Sequence, residues 1–260
     1  MIKKLLIVAG GAAVVSAACL VSAAALIGHD LRTKEWNISM VKVGDHVHMV
    51  RGEAARPEQT TTQALTWPGG DRLAIDLPGE VTYTQGATAS VSVSGPQSLV
   101  NRVRIDGGRL YLATGPEPEE SIHLRLDHGH VDATGPDTQL RVTIVAPSVT
   151  SFAVSGSGGL SVHDYNQPAL DIALNGSGAV DVDGHTTTLK LDQAGSGAID
   201  LTSLEARDAD VSLSGSGNAE VNAKGKAQVG ISGSGTVALT AKPASLTTSI
   251  SGSGTVNQDY

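Results

Sequence analysis

Aromatic side chains are almost absent from this sequence. They make up 3% of its 260 residues, and Phe152 is the only phenylalanine. Stacking platforms for sugar rings or nucleobases need such side chains, so both are disfavoured. A core must instead be filled by Val, Ile, Leu and Ala, which suits many thin, regular layers better than one bulky centre. Cysteine is scarcer still. Cys19 stands alone, so no intrachain disulfide can form. Cations are sparse where the chain is most regular. From residue 151 onward, 5 Lys and Arg (Lys190, Arg207, Lys224, Lys226, Lys242) stand against 11 Asp and Glu, within a formal net charge of −8. Binding nucleic acid requires clustered cations that neutralise phosphates, so no nucleic acid partner is expected.

Glycine is abundant, at 31 residues, and much of it is periodic. Gly-Ser-Gly occurs six times: Gly156-Ser157-Gly158, Gly176-Ser177-Gly178, Gly195-Ser196-Gly197, Gly215-Ser216-Gly217, Gly233-Ser234-Gly235 and Gly252-Ser253-Gly254. The repeats begin at Val154, Leu174, Gln193, Leu213, Ile231 and Ile250, giving steps of 20, 19, 20, 18 and 19 residues. A fixed period of this size is the signature of a stacked solenoid. Within a repeat the period is two. In 169–183, Leu170, Ile172, Leu174, Val180 and Val182 share one parity, and Asp171, Asn175, Ser177, Asp181 and Asp183 the other. Such alternation predicts strands.

Equivalent aliphatics recur in columns: Leu160, Val180, Ile199, Ala219, Val237, Val256, and Val162, Val182, Leu201, Val221, Leu239. The strand before each motif supplies Leu170, Leu189, Ala209, Ala227 and Leu246. Stacking these columns gives an all-β parallel β-helix, or β-solenoid, with about 18–20 residues per coil. The six motifs are then expected to be its structural corners. Unbroken alternation through them predicts inward glycines and an outward serine ladder bonding between rungs. The single solenoid domain spans 66–257: 154–257 carries the coils, and the less regular 66–153 holds either early coils or a β cap. Gly95-Pro96, Gly115-Pro116 and Gly135-Pro136, spaced by 20, suggest an earlier start of the period.

The first 28 residues differ from the rest. Lys3 and Lys4 precede an uncharged run of 24 residues, Leu5 to Gly28. This predicts an N-terminal apolar helix, either a cleaved signal peptide, with small residues at Ala23 to Ala25, or a membrane anchor through residues 5–28. Either places the remainder outside the cytoplasm, in the cell envelope. Residues 29–65 read as a polar spacer.

Catalytic constellations are weak. No motif serine lies in G-x-S-x-G, and the phosphate-binding G-x-x-x-x-G-K-[ST] is missing. The pairs His46/His48 and His128/His130 (in "DHGHVD") carry imidazoles near carboxylates, a pattern able to hold zinc, but "DHGHVD" reads as a loop. Asp181 and Asp200 would stack about 5 Å apart, a glycosidase-like separation, yet stacking produces that distance in any column. The reading is therefore no catalytic residues, no metal site and no cofactor.

Three segments join the repeated SGSG units: "WPGGDRLAIDLPGEVTYTQG" (67–86), "VSVSGPQSLVNRVRIDGGRLYL" (91–112) and "VTIVAPSVTSFAVSGSGGLSV" (142–162). With them, the chain resembles the head GIN domain family, bacterial domains described as putative auto-transporter adhesins. The resemblance implies an extracytoplasmic β-solenoid and no set of catalytic residues. The expectation is a non-enzymatic, adhesin-like scaffold whose partners are the membrane and an envelope glycan or protein. The alternatives are a glycan-processing enzyme and a structural protein that self-associates through its open end coils.

Overall fold

The structure is a computed structural model. It describes the backbone of residues 36–43, 46–51, 59–115, 121–127, 130–134 and 139–260, and the side chains of 59–115 and 139–260. The apolar run 5–28 lies outside the described residues. Among them, no helix is long and apolar enough to cross a membrane.

The chain forms two compact units. The smaller is a four-stranded antiparallel sheet in the order β10–β9–β1–β2, from β1 (Trp36–Val43), β2 (His46–Arg51), β9 (Ser121–Asp127) and β10 (His130–Thr134). Ile38 sits opposite Arg51 on one side and Leu124 on the other. Two segments thus differ from their sequence reading. The region taken for a polar spacer holds three strands, β1, β2 and one at Thr60–Leu65, and the residues flanking the expected loop at "DHGHVD" hold two. The signal was present: Trp36, Ile38 and Met40 alternate with Asn37 and Ser39, the period of a strand.

The larger unit begins with β3 (Thr60–Leu65), β4 (Arg72–Asp76), β5 (Glu80–Gln85), β6 (Ser90–Pro96), the one-turn helix α1 (Gln97–Val100), β7 (Val103–Asp106) and β8 (Arg109–Leu112). It resumes at β11 (Arg141–Ala146) and continues through β12 (Ser151–Gly156), β13 (Gly159–Gly176), β14 (Ala179–Gly195), β15 (Ala198–Gly215), β16 (Asn218–Ala223), β17 (Lys226–Gly233), β18 (Thr236–Leu239), β19 (Ser245–Gly252) and β20 (Thr255–Gln258). From β12 onward every strand pairs in parallel with its equivalent one coil away. The all-β solenoid read from the repeat is the observed fold, with about five turns.

The register follows the predicted columns. Leu160 lies beside Val180, Val180 beside Ile199, Ile199 beside Ala219, Ala219 beside Val237 and Val237 beside Val256. Leu170, Leu189, Ala209, Ala227 and Leu246 form a second unbroken series. These side chains point inward and are buried until the C-terminal rung. Each Leu or Ile so placed contributes about 1.5–3 kcal/mol relative to exposure.

Before β12 the sequence period stops guiding the stack. The rung beneath β12 is β4, with Phe152 beside Leu73, and the strand beneath the start of β13 is β5, with Leu160 beside Val81. After β5 the chain rejoins the stack only at β8, parallel to β4, and at β11, parallel to β5. The Gly95-Pro96 pair lies on β6 and does not stack beneath Gly156; Pro116 and Gly135-Pro136 lie outside the described residues. β6 instead pairs antiparallel with both β3 and β11, and β7 pairs antiparallel with β8, so this end is a β cap. Three aromatics, Tyr83, Phe152 and Tyr165, gather at its junction with the coils. The Phe152 ring meets Tyr83 at 5.1 Å and Tyr165 at 6.3 Å, both edge-on, and the Tyr83 hydroxyl donates to the Ala146 carbonyl at 2.7 Å.

One column contains a polar intruder. Gln193 lies between Leu174 and Leu213 and is only 3% exposed. Its Nε2 donates to the Gly197 carbonyl at 2.6 Å, while its Oε1 has no partner among the described residues. A buried acceptor without a donor costs about 1–3 kcal/mol, more than one neutral hydrogen bond returns. Gln193→Leu restores the column and is expected to raise stability by about 1–2 kcal/mol. Urea denaturation should show a higher midpoint at unchanged slope, and a lower midpoint would mean that the amide is needed.

Candidate functional site

The six Gly-Ser-Gly motifs stack into one corner running the length of the coils. The first glycines form a single series, Gly156, Gly176, Gly195, Gly215, Gly233 and Gly252, all with φ between 88° and 135°. Alternation breaks at that residue. The first glycine is exposed or half-buried, the serine is exposed, and only the second glycine turns inward. The prediction that both glycines point inward therefore holds for the second alone.

Gly195 and Gly197 show why neither position admits a side chain. A Cβ on Gly195 would lie 2.3 Å from the Gly176 carbonyl oxygen of the rung below. A Cβ on Gly197 would lie 2.5 Å from the Gly178 oxygen and 2.6 Å from Leu174 Cδ2. That close approach lets the corner peptides bond from rung to rung. Ser196 N–H donates to the Gly176 carbonyl at 3.0 Å, and Ala198 N–H to the Gly178 carbonyl at 3.1 Å. The same Ser N–H bond to the first glycine below recurs at Ser177, Ser216, Ser234 and Ser253.

The serine hydroxyls play no part in this. Among the described residues, none of the six bonds to another protein group, so the expected hydroxyl ladder is a backbone ladder. What the serines form is a row of free hydroxyls, one per rung, about 4.8 Å apart. The columns on either side are also short. Ser155, Asn175, Ala194, Ser214, Ser232 and Ser251 flank the row on one face, and Ala179, Ala198, Asn218, Thr236 and Thr255 on the other. Together they make a ridge on which no side chain is larger than Asn.

A family model described as putative auto-transporter adhesin, head GIN domain, matches residues 71–243. The chain belongs to the head GIN domain family. The resemblance read from its motifs is thereby borne out. Among solved structures, a putative adhesin from Bacteroides fragilis NCTC 9343 is similar, with a TM-score of 0.58 at 18% identity over 77% of this chain and 98% of that one. A putative adhesin from Parabacteroides distasonis ATCC 8503 gives a TM-score of 0.47 at 17% identity, over 77% and 97% of the two chains. No curated protein matches.

In this head GIN domain an acidic column runs beside the ridge. Asp181 is the register partner of Asp200, and Asp200 of Glu220. With Glu80, Ser161 and Asn218 they line a shallow groove of about 450 Å³. Partial burial, and next the Asp200 carboxylate, push the Asp181 pKa up, against the opposing influence of His163. The two aspartates thus stack in register on adjacent coils, as foreseen from the sequence. Among the described residues no group of three His, Cys, Asp or Glu is placed to hold a metal. His46 and His48 lie on β2 and His130 starts β10, at opposite margins of the small sheet, and their side chains and His128 lie outside the described residues.

One polar cluster escaped the sequence reading. His163 Nδ1 lies 2.6 Å from Asp183 Oδ2, and the Asp164 N–H donates to Asp183 Oδ1 at 2.9 Å. Asp164 has φ 56°, at the irregularity between Val162 and Tyr165. Burial raises the Asp183 pKa, but the hydrogen bonds from His163 and Asp164 outweigh it and hold the group low. The available signal was spacing, since 163 and 183 are one coil length apart.

Gly195→Ala is expected to cost about 2–4 kcal/mol, from the positive φ and the clash with the rung below. Ser196→Ala should stay within about 0.5 kcal/mol, as for an exposed side chain without partners. Chemical denaturation of the two variants separates a backbone corner from a hydroxyl ladder, because only the ladder makes the serine costly. Asp181 gives a pH test. A folded-state pKa raised above the unfolded one destabilises the protein once pH exceeds the folded value. Asp181→Asn should therefore melt higher than wild type at pH 7, and the difference should vanish as pH falls below about 4. A gain that persists in acid would show that charge is not its cause.

Proposed function

We propose that this head GIN domain is a non-enzymatic, adhesin-like binding scaffold of the cell envelope, held outside the cytoplasm by residues 5–28. The observation that carries this reading is the ridge: free hydroxyls at rung spacing, flanked by columns of short side chains. Ser, Ala and Asn lose little or modest rotamer entropy on contact, and such a straight surface fits an extended partner, a glycan or a peptide, at low ordering cost. The family's description as an adhesin head points the same way. The near absence of aromatics on the coils favours hydrogen bonding to polar groups over ring stacking.

Screening the full chain against an array of envelope glycans, with surface proteins as a second panel, tests this. A binder is expected whose signal falls at least tenfold in a Ser196→Arg/Ser216→Arg variant of unchanged melting temperature. Cleavage of an arrayed glycan, or binding indifferent to the ridge substitutions, would overturn the reading.

A further inference from the structure

The two ends of the solenoid are built differently. The end at β4 and β5 is closed by the cap: β8 lies against β4, β11 against β5, and β6, β3 and β7 run antiparallel to their neighbours. At the other end, among the described residues, β19 pairs only with β17 and β20 only with β18. Their outer peptide groups have no described strand beside them. The inward side chains are uncovered as well. Val154, Leu174, Leu213 and Ile231 are at most 2% exposed, whereas Ile250 in the same column is 45% exposed.

Nothing in the open rung repels a neighbouring strand. Natural sheets protect such margins with charge, proline or a bulge. Residues 245–258 contain no Asp, Glu, Lys, Arg or Pro, and β19 is eight residues long. Charge also selects the partner. Residues 159–223 carry 10 acidic and 2 basic side chains, while 224–260 carry 1 acidic and 3 basic. Within the coils, two copies of this acidic chain therefore meet with least repulsion at the C-terminal rungs.

We propose that a second copy of this chain covers the open rung, forming a closed two-fold dimer in which β19 pairs antiparallel with its counterpart. Antiparallel pairing follows from the symmetry, because an isologous contact brings the same strand to itself reversed. Head-to-tail growth is blocked. The opposite end presents the short β7, which carries Arg104 and Asp106 and runs against the coil direction, in place of a full coil. Association therefore stops at two copies. The contact is reversible in character, since Thr248 and Gln258 occupy inward positions where the previous rung has Val229 and Leu239. This inference rests on the fold alone and stands apart from the ridge reading.

Cys19 is the only cysteine, so Cys19→Ser gives a clean background for cross-linking the full chain in detergent micelles. Thr247→Cys, Ser249→Cys and Ser251→Cys are placed singly on β19, with Ser212→Cys and Ser232→Cys as controls further into the stack. At least one β19 position should yield a disulfide-linked dimer under mild oxidation, and the controls should not. Adding Ile250→Glu should abolish that band without changing the melting temperature. If it does unfold the chain, Thr248→Lys repeats the test at a position already polar. Equal cross-linking at controls and β19 positions, no cross-link on β19, or a band that survives both charge variants would each overturn the proposal. A cross-linked ladder beyond the dimer would overturn its closed symmetry.

Discussion

The peptide hydrogen bonds that cross the Gly-Ser-Gly corner set the terms for the rest of the domain. A solenoid coil must change direction, and the direction change is where strand pairing is most easily lost. Here the carbonyl of each first glycine accepts from the serine N–H of the next rung, at 2.8–3.0 Å from Gly176 through Gly233. Those bonds require backbone to lie directly over backbone, with φ in the left-handed region and no Cβ between. Once the corner is aligned, the strands on both sides inherit its register. A slip of one residue at any rung would turn every inward aliphatic of that coil outward.

The columns of the interior are the second consequence. Because the rungs stack in register, each inward position meets its own equivalent, and the core is a set of short aliphatic rows. Such rows are tolerant along their length but intolerant of polarity, which is why Gln193 is anomalous. Its amide can satisfy the donor with the Gly197 carbonyl, but a row of Leu neighbours offers nothing for the acceptor. The outward positions carry no such demand. Asp, Lys, Ser, Ala, Thr and Asn exchange freely there from rung to rung, and the Bacteroides fragilis fold is similar at 18% identity. The scaffold's surface chemistry is thus largely independent of the forces that hold it.

This division explains what the sequence disclosed. Period-two alternation and the 18–20-residue repeat carried the coil register residue by residue, because each inward row depends on one local rule applied repeatedly. The serine row was legible as outward-facing for the same reason. The conformation of the first glycine was not, since alternation cannot announce a residue that suspends it. The cap was illegible on different grounds. β4 and β5 stack on strands some 79 positions later in the chain, and no periodic signal spans that separation. In the small sheet the alternation of β1 was legible, but its pairing with β9 joins Trp36–Val43 to Ser121–Asp127, distant segments that no repeat connects. The His163–Asp183 contact depends on the positive φ of Asp164, the one non-glycine residue with that conformation among the described residues.

A repetitive stack carries a hazard that a globular core does not: each rung is a template for the next, so an unprotected end invites addition. Two devices are available, covering the end or making it self-limiting. At β4 and β5 the chain uses the first, adding a cap in which β6 and β7 run against the solenoid direction. At β19 and β20 no described residue covers the rung and the strands carry no charge, while the inward positions are only partly apolar. That combination matches a rung meant to be satisfied by an identical rung. The pairing uses up both open margins at once, and the caps at the two far ends prevent a third copy from joining. The same backbone bonding that aligns the corners would then also fix the size of the assembly.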